Sequence, residues 1–187
     1  MRAPFVLVGG GARSGKSRFA LERAQSLVTR GQGVFIATAE ASDDEMRDRI
    51  ARHREERDAR LRTIEAPRAL PAAIEAAGDE GAAVVLVDCL TLWLSNLLVD
   101  GATGDEVLAR VDELRSVIAR RRAPLIIVTN EVGMSLVPET PLGRMFRDVA
   151  GIAHQRLARD ADELLFAALG VVLRLRPGPV AIAEASP

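Results

Sequence analysis

A chain of 187 residues, 48% hydrophobic, has the material for one globular domain, enough to bury about 70% of its unfolded surface in a single core. Its one cysteine, Cys89, excludes an internal disulfide, and with only His53 and His154 beside it a Cys/His zinc cage is excluded as well. Lys+Arg 25 against Asp+Glu 26 leaves a net charge of −1, so no global positive field marks a nucleic acid or an acidic membrane as partner.

In chain order, Phe5 to Val8 is the first apolar run. It is too short for a signal segment, and no other run approaches the roughly 18 apolar residues of a membrane span, so a cytoplasmic protein is expected. A glycine cluster follows, then a helix from Ser17 to Thr29 with Phe19, Ala20, Ala24, Leu27 and Val28 on one side and a stop before Gly31. Val34 to Thr38 reads as a buried strand. Ser42 with Glu45 three residues on is a capping-box signature for a helix running to about Arg60. Next come a helix over Leu70 to Ala77, a strand over Ala83 to Val87 and a helix starting near Leu90. A helix from Gly104 to Arg121, a strand from Leu125 to Thr129 and a helix from Pro141 to Ala161 follow. Leu164 to Ala167 and Val171 to Leu175 are parted only by Ala168-Leu169-Gly170, too short for a parallel crossover, so they form an antiparallel hairpin at one edge. Residues 176–187, with Pro177, Gly178, Pro179 and Pro187, read as a loose tail of a single domain spanning 1–187. Short apolar runs alternating with helical segments predict an α/β, three-layer domain with a mainly parallel sheet.

Gly10-Gly11-Ala12-Arg13-Ser14-Gly15-Lys16-Ser17 satisfies G-x-x-x-x-G-K-[ST] between a buried strand and a helix, the context that makes the domain P-loop NTPase-like. Glycines let consecutive N–H groups curl around phosphate oxygens, and the helix dipole adds attraction. Lys16 would bridge the β and γ phosphates, Ser17 would put its hydroxyl on Mg²⁺, and Arg13 could reach outward to a phosphate or substrate. Asp88, at the end of Ala83 to Val87, is the candidate second Mg²⁺ residue; its alternative role is to cap the helix starting near Leu90.

Residues 43–62 interleave acids with arginines, as on a solvated helix. Met46, Ile50, His53 and Arg57 nevertheless share one helical stripe, which turns His53 toward the body either as a packed residue or as a nucleophile. Thr129-Asn130-Glu131 either closes a turn or, through Glu131, orients an attacking hydroxyl. His154 reads as a core-edge histidine. Trp93, among leucines, suits a core or subunit contact better than a stacking platform.

Gly10 to Arg18, Ile36-Ala37-Thr38, Asp43 to Met46 with Arg49-Ile50 and His53-Arg54, Thr129 to Met134 with Val137-Pro138-Glu139, and Arg147-Asp148 with Gly151 and Gln155-Arg156-Leu157 form a specific set. In them the chain, from about residue 5 to 175, resembles the bifunctional adenosylcobinamide kinase/adenosylcobinamide-phosphate guanylyltransferases. The resemblance implies two reactions: phosphorylation of adenosylcobinamide by ATP or GTP, then GMP transfer from GTP through a guanylyl-histidine to give adenosylcobinamide-GDP. It also implies that His53 is the nucleophile and that Gly10 to Ser17 bind nucleotide phosphates. Thr38, Ala39, Glu40, Arg54, Glu55, Glu56, Arg57, Glu65 and Asp88 would be the further nucleotide contacts, Mg²⁺ the cofactor and a homotrimer the assembly. Some members of the family carry two adjacent histidines, where this chain has Arg52 then His53. A P-loop small-molecule kinase lacking the second activity and a nucleotide-dependent binding switch are the rival readings.

Overall fold

The computed structural model describes residues 2–40 and 60–183. The helix expected over 42–60, and with it His53, Arg54, Glu55, Glu56 and Arg57, falls on 41–59 and so lies outside the described residues.

Each buried apolar run becomes a strand: β1 (Phe5–Gly10), β2 (Gly33–Ala37), β4 (Val85–Asp88), β5 (Leu125–Val128), β6 (Glu163–Ala168) and β7 (Val171–Arg176). Two more strands complete the sheet, β3 (Leu61–Glu65) and β8 (Ala181–Ile182). The helices are α1 (Lys16–Leu27), α2 (Leu70–Asp79), α3 (Leu90–Val99), α4 (Gly104–Ala119) and α5 (Pro141–Asp160). The strand order is β3-β2-β4-β5-β1-β6-β7-β8. Neighbours pair in parallel as far as β6, and β7 and β8 add antiparallel.

Side chains alternate across the pleat, and because both faces are covered, both sets are apolar. Phe5, Leu7, Val34, Ile36, Val85, Val87, Leu125 and Ile127 pack with Leu70, Trp93, Leu114 and Val149 of α2 to α5. The intervening Val6, Val8, Phe35, Leu86, Ile126 and Val128 pack with Phe19, Ala20 and Ala24 of α1. The three layers are thus helices, sheet and helix. Local signals agree with the packing: Thr103 and Glu106 form a capping box at α4, and Thr140 accepts from Gly143 N with Pro141 in the first turn of α5. At the amino end of the sheet, Asp162 accepts from Phe5 N (2.7 Å) and from Arg121, whose guanidinium lies 5.7 Å above the Phe5 ring.

The structure differs from the sequence reading at both edges of the sheet. No strand is marked in the sequence between about Arg60 and Leu70, yet Leu61–Glu65 pairs with β2 as the edge strand β3. The tail from 176 is not wholly loose: β7 extends to Arg176, and Ala181–Ile182 pairs with Leu173 and Arg174, so the β6–β7 hairpin is not the outermost element.

Candidate active site

Parallel strands bring their carboxyl ends to one edge, and among the described residues the phosphate loop, Thr38, Glu65 and Asp88 lie there. At the end of β1 the chain turns through Gly10 (φ 155°), Arg13 (φ 57°) and Gly15 (φ 93°) into α1. Ser14 N donates to Gly11 O (3.3 Å), and Lys16, only 6% exposed, donates from Nζ to Gly11 O (2.9 Å) across the loop. Ser14 Oγ is buried and has no hydrogen-bond partner among the described residues, an orphaned donor that an anion in the loop would satisfy. Ala12 and Arg13 are exposed on its outer side.

Gly10 cannot be replaced without cost. A Cβ there would stand 2.5 Å from Ala167 O and 2.8 Å from Ser14 Oγ, on a backbone that L side chains rarely adopt. Gly10→Ala is expected to lower the unfolding free energy by about 3 kcal/mol, measured by urea denaturation; an unchanged midpoint would contradict the packing.

Asp88 ends β4, half-buried, level with Ala37 on β2 and Val128 on β5. Its hard carboxylate and the Ser17 hydroxyl are a donor set that suits Mg²⁺, which keeps several waters and takes the rest of its shell from substrate phosphates. No cluster of three His, Cys, Asp or Glu able to hold a metal exists among the described residues. Thr38, expected to touch nucleotide, is fully buried instead. Its hydroxyl donates to Cys89 O (2.7 Å) and accepts from Cys89 N (2.8 Å), so its side chain fixes the end of β4 and has no face open to a ligand. Ala39 is half-buried. Glu40 is exposed and ion-paired with Arg68, and Glu65 is exposed at the end of β3 in register with Ala37. Thr38, Glu65 and Asp88 therefore share one stretch of sheet edge.

Asn96, which the sequence did not mark, organises this edge, and Trp93 takes the core position expected of it. Asn96 donates to Thr38 O (2.9 Å) and Pro67 O (3.0 Å), holding the loops after β2 and β3 against α3. Trp93 is fully buried and donates from Nε1 to Arg68 O (2.9 Å); it is a core residue, not a stacking platform. Burial pushes the Cys89 thiol up to about 11, so at neutral pH it is neutral and unreactive.

The turn after β5 abuts the phosphate loop. Glu131 N donates to Gly10 O (2.9 Å), and Asn130 donates to Thr91 Oγ1 from both its backbone N (3.2 Å) and its side chain (3.1 Å). Glu131 Oε1 accepts from Gly133 N (2.5 Å). His154, expected only as a core-edge residue, reaches this turn from α5: its Nε2 lies 2.7 Å from Thr129 Oγ1 and its Nδ1 3.9 Å from Glu131 Oε2. Burial holds its pKa below the usual histidine value, with Glu131 opposing. The fold thus favours the neutral ring. That stabilisation is complete above about pH 6.5, the ordinary value, and fades as pH falls below it toward the lowered folded value. Between about pH 7 and pH 5, the wild-type Tm is expected to drop further than that of His154→Gln; parallel curves would contradict this.

The loop that continues from Glu131 exposes Met134, Leu136 (93%) and Val137, and Leu142 and Met145 of α5 extend the apolar surface. Among the described residues no helix is long and apolar enough to cross a membrane.

A family model described as CobU, cobinamide kinase / cobinamide phosphate guanyltransferase, matches residues 6–175. The bifunctional adenosylcobalamin biosynthesis protein CobP of Pseudomonas aeruginosa is 39% identical over 175 residues, covering 93% of this chain and 98% of its own. The bifunctional CobU proteins of Salmonella typhimurium and Escherichia coli K12 are 40% and 38% identical, each over 91% of this chain and 99% of its own. Among solved structures, a KaiC-like protein of Pyrococcus horikoshii aligns at TM-score 0.52 and 13% identity over 97% of this chain and 78% of that one. A second solved structure, an isolated ATPase domain, aligns at 0.55 and 14% over 98% and 81%. These two are likenesses of fold alone, and they agree with the mainly parallel α/β sheet described above.

Proposed function

Because the chain belongs to the cobinamide kinase / cobinamide phosphate guanyltransferase family, we propose that it phosphorylates adenosylcobinamide with ATP or GTP and then, through a guanylyl group on His53, converts the product to adenosylcobinamide-GDP. The observation that carries the reading is the strand–loop–helix of Gly10 to Ser17, with its buried lysine and orphaned Ser14 hydroxyl, within a chain matched almost end to end by bifunctional relatives.

In the first step the substrate hydroxyl attacks the γ-phosphorus, the bond to the β-phosphate oxygen breaks, and the nucleoside diphosphate leaves with the electron pair. Lys16 and the loop N–H groups hold the phosphates, and Glu131, anchored to Gly10 O, orients the hydroxyl and takes its proton. Ser17 and Asp88 would hold Mg²⁺, which when bound offsets phosphate charge. Thr38 acts through Asp88 by fixing the end of β4.

In the second step a lone pair of His53 attacks the α-phosphorus of GTP, and pyrophosphate leaves with the electron pair of the broken bond. A phosphate oxygen of the phosphorylated substrate then displaces the imidazole. That oxygen is already nucleophilic at neutral pH, so it needs positioning more than a base. Arg54 to Arg57, Glu40 and Glu65 are proposed nucleotide contacts, with Glu65 supported by its register with Ala37, which also pairs with Asp88.

A homotrimer and a cytoplasmic setting belong to the same proposal. The exposed apolar stretch at Met134, Leu136 and Val137 supports a face that a neighbouring subunit covers. The test is incubation with GTP labelled at the α-phosphate, followed by denaturation. Label should remain on the protein, survive alkali, be lost in acid, and pass to phosphorylated cobinamide; an unlabelled wild type would sink the guanylyl step. Leu136→Asp is expected to shift the assembly toward monomer by sedimentation, and an unchanged mass would remove that face from the interface.

A further inference from the structure

A cavity of about 290 Å³ opens beside the first turns of α1, near the lower size range of small-molecule pockets. Gly15, Arg18, Phe19 and Glu22 line one side, and Val171 and Ile182 lie across from them. It borders the phosphate loop, because Gly15 of that loop is part of its wall, close to Gly170. The chemistry of its walls is mixed. Val171 and Ile182 are apolar yet 43% and 72% exposed, while Arg18 and Glu22 sit one turn apart on the rim, 3.9 Å from each other. A flat heteroaromatic ring with polar edges fits such a slot. Its faces would lie on the aliphatic side chains and the guanidinium, and Glu22 would accept from an exocyclic amino group.

The direction of a triphosphate in the loop says which ring. When a γ-phosphate is transferred, the terminal phosphates lie toward Lys16, Ser17 and Asp88. Asp88 ends β4, which is separated from β1 by β5. The nucleoside must then leave on the opposite side of β1, where β6 and β7 lie and the cavity opens. Guanylyl transfer imposes the reverse. His53 belongs to the segment joining β2 to β3, and Glu40 and Glu65 follow those same strands, beyond β4. An α-phosphorus aimed that way cannot belong to a nucleoside seated beside α1.

We propose that the cavity lined by Arg18, Phe19, Glu22, Val171 and Ile182 is the purine subsite for the nucleotide that donates its γ-phosphate, distinct from the subsite of the guanylyl donor. One phosphate loop then serves triphosphates bound in two opposite directions. The inference rests on reading Gly10 to Ser17 as the triphosphate cradle and His53 as the guanylyl acceptor.

Photolabelling of the full chain with 8-azido-ATP and 8-azido-GTP, followed by peptide mass spectrometry, tests it. The ATP probe is expected on peptides covering 15–22 and 169–183, and the GTP probe on these and also on 38–66. Ala183, just after β8, also lines the cavity; Ala183→Trp, which fills it, is expected to raise the KM for ATP in phosphoryl transfer about tenfold or more with kcat within about twofold. It should leave α-phosphate labelling of the protein within about twofold of the wild type. The proposal is overturned if the ATP probe labels only 38–66, or if Ala183→Trp lowers both activities in parallel. It is also overturned if the variant changes the mass of the assembly and leaves KM untouched, which would make the cavity a subunit contact. A wild type that binds neither probe, with Lys16→Ala indistinguishable from it, would remove the cradle reading itself and this subsite with it.

Discussion

His53→Ala is expected to abolish α-phosphate labelling of the protein and to lower adenosylcobinamide-GDP formation by at least about 10³-fold, with γ-phosphoryl transfer within about fivefold of the wild type. The size of the effect follows from the scarcity of substitutes. The chain has two histidines and one cysteine. Cys89 is buried with its thiol held protonated, and hydrogen-bonds Thr91 through Sγ (3.2 Å). His154 is occupied by Thr129 on one ring nitrogen and faces Glu131 with the other. Neither can carry a guanylyl group in place of His53. Acid-labile label surviving in His53→Ala would show that the nucleophile lies elsewhere, and label mapped to His154 would transfer the role to the turn after β5.

Lys16→Ala is expected to depress both activities together, each by about 10²- to 10³-fold, or about 2.7–4 kcal/mol of transition-state stabilisation. Both transfers develop negative charge on phosphate oxygens in the same loop, and Lys16 is buried where its ammonium is poorly screened. The loop's turn rests on backbone contacts as well as on the bond from that ammonium to Gly11 O, so the alanine variant should fold with the loop intact. Near-normal urea denaturation together with the double loss of activity is the expected pair of results. Loss of only one activity would mean that the two reactions do not share the loop. Lys16→Arg keeps the charge but enlarges it into a planar fork, and it is expected to recover only part of either rate.

Most of the sheet was legible because parallel strands covered on both faces must be apolar throughout, and Phe5 to Val8, Ala83 to Val87 and Leu125 to Thr129 are. The same rule hid β3. An edge strand needs burial on little more than one side, and Leu61-Arg62-Thr63-Ile64-Glu65 follows a run of arginines that reads as helix. Its alternation of apolar and polar residues was the available signal. At the other edge, β8 is two residues long and follows Pro179, too brief for any periodicity. In the site, the phosphate loop and Asp88 were legible because their chemistry demands a strand end. Trp93 and His154 were legible as core and core-edge residues, but their partners and the role of Asn96 were not, since each acts through a contact with a residue far away in sequence: Arg68 for Trp93, Thr129 for His154 and Thr38 for Asn96. Thr38 illustrates the converse. Its sequence neighbours mark it as part of the site, but only the contacts reveal that its hydroxyl is spent on Cys89.

The central place of β1 governs when the enzyme can be assembled. Val6 lies between Ile126 on one neighbour and Glu163 on the other, and Phe5 N is held by Asp162. A strand drawn from the first ten residues therefore waits for partners made more than a hundred residues later, a costly loop closure and a topology that folds slowly. A nascent chain cut after α4 would contain every residue of Gly10 to Ser17 and lack both walls that shape it. The earliest motif to leave the ribosome is thus among the last to become a binding site, and nucleotide capture reports completion of the whole sheet.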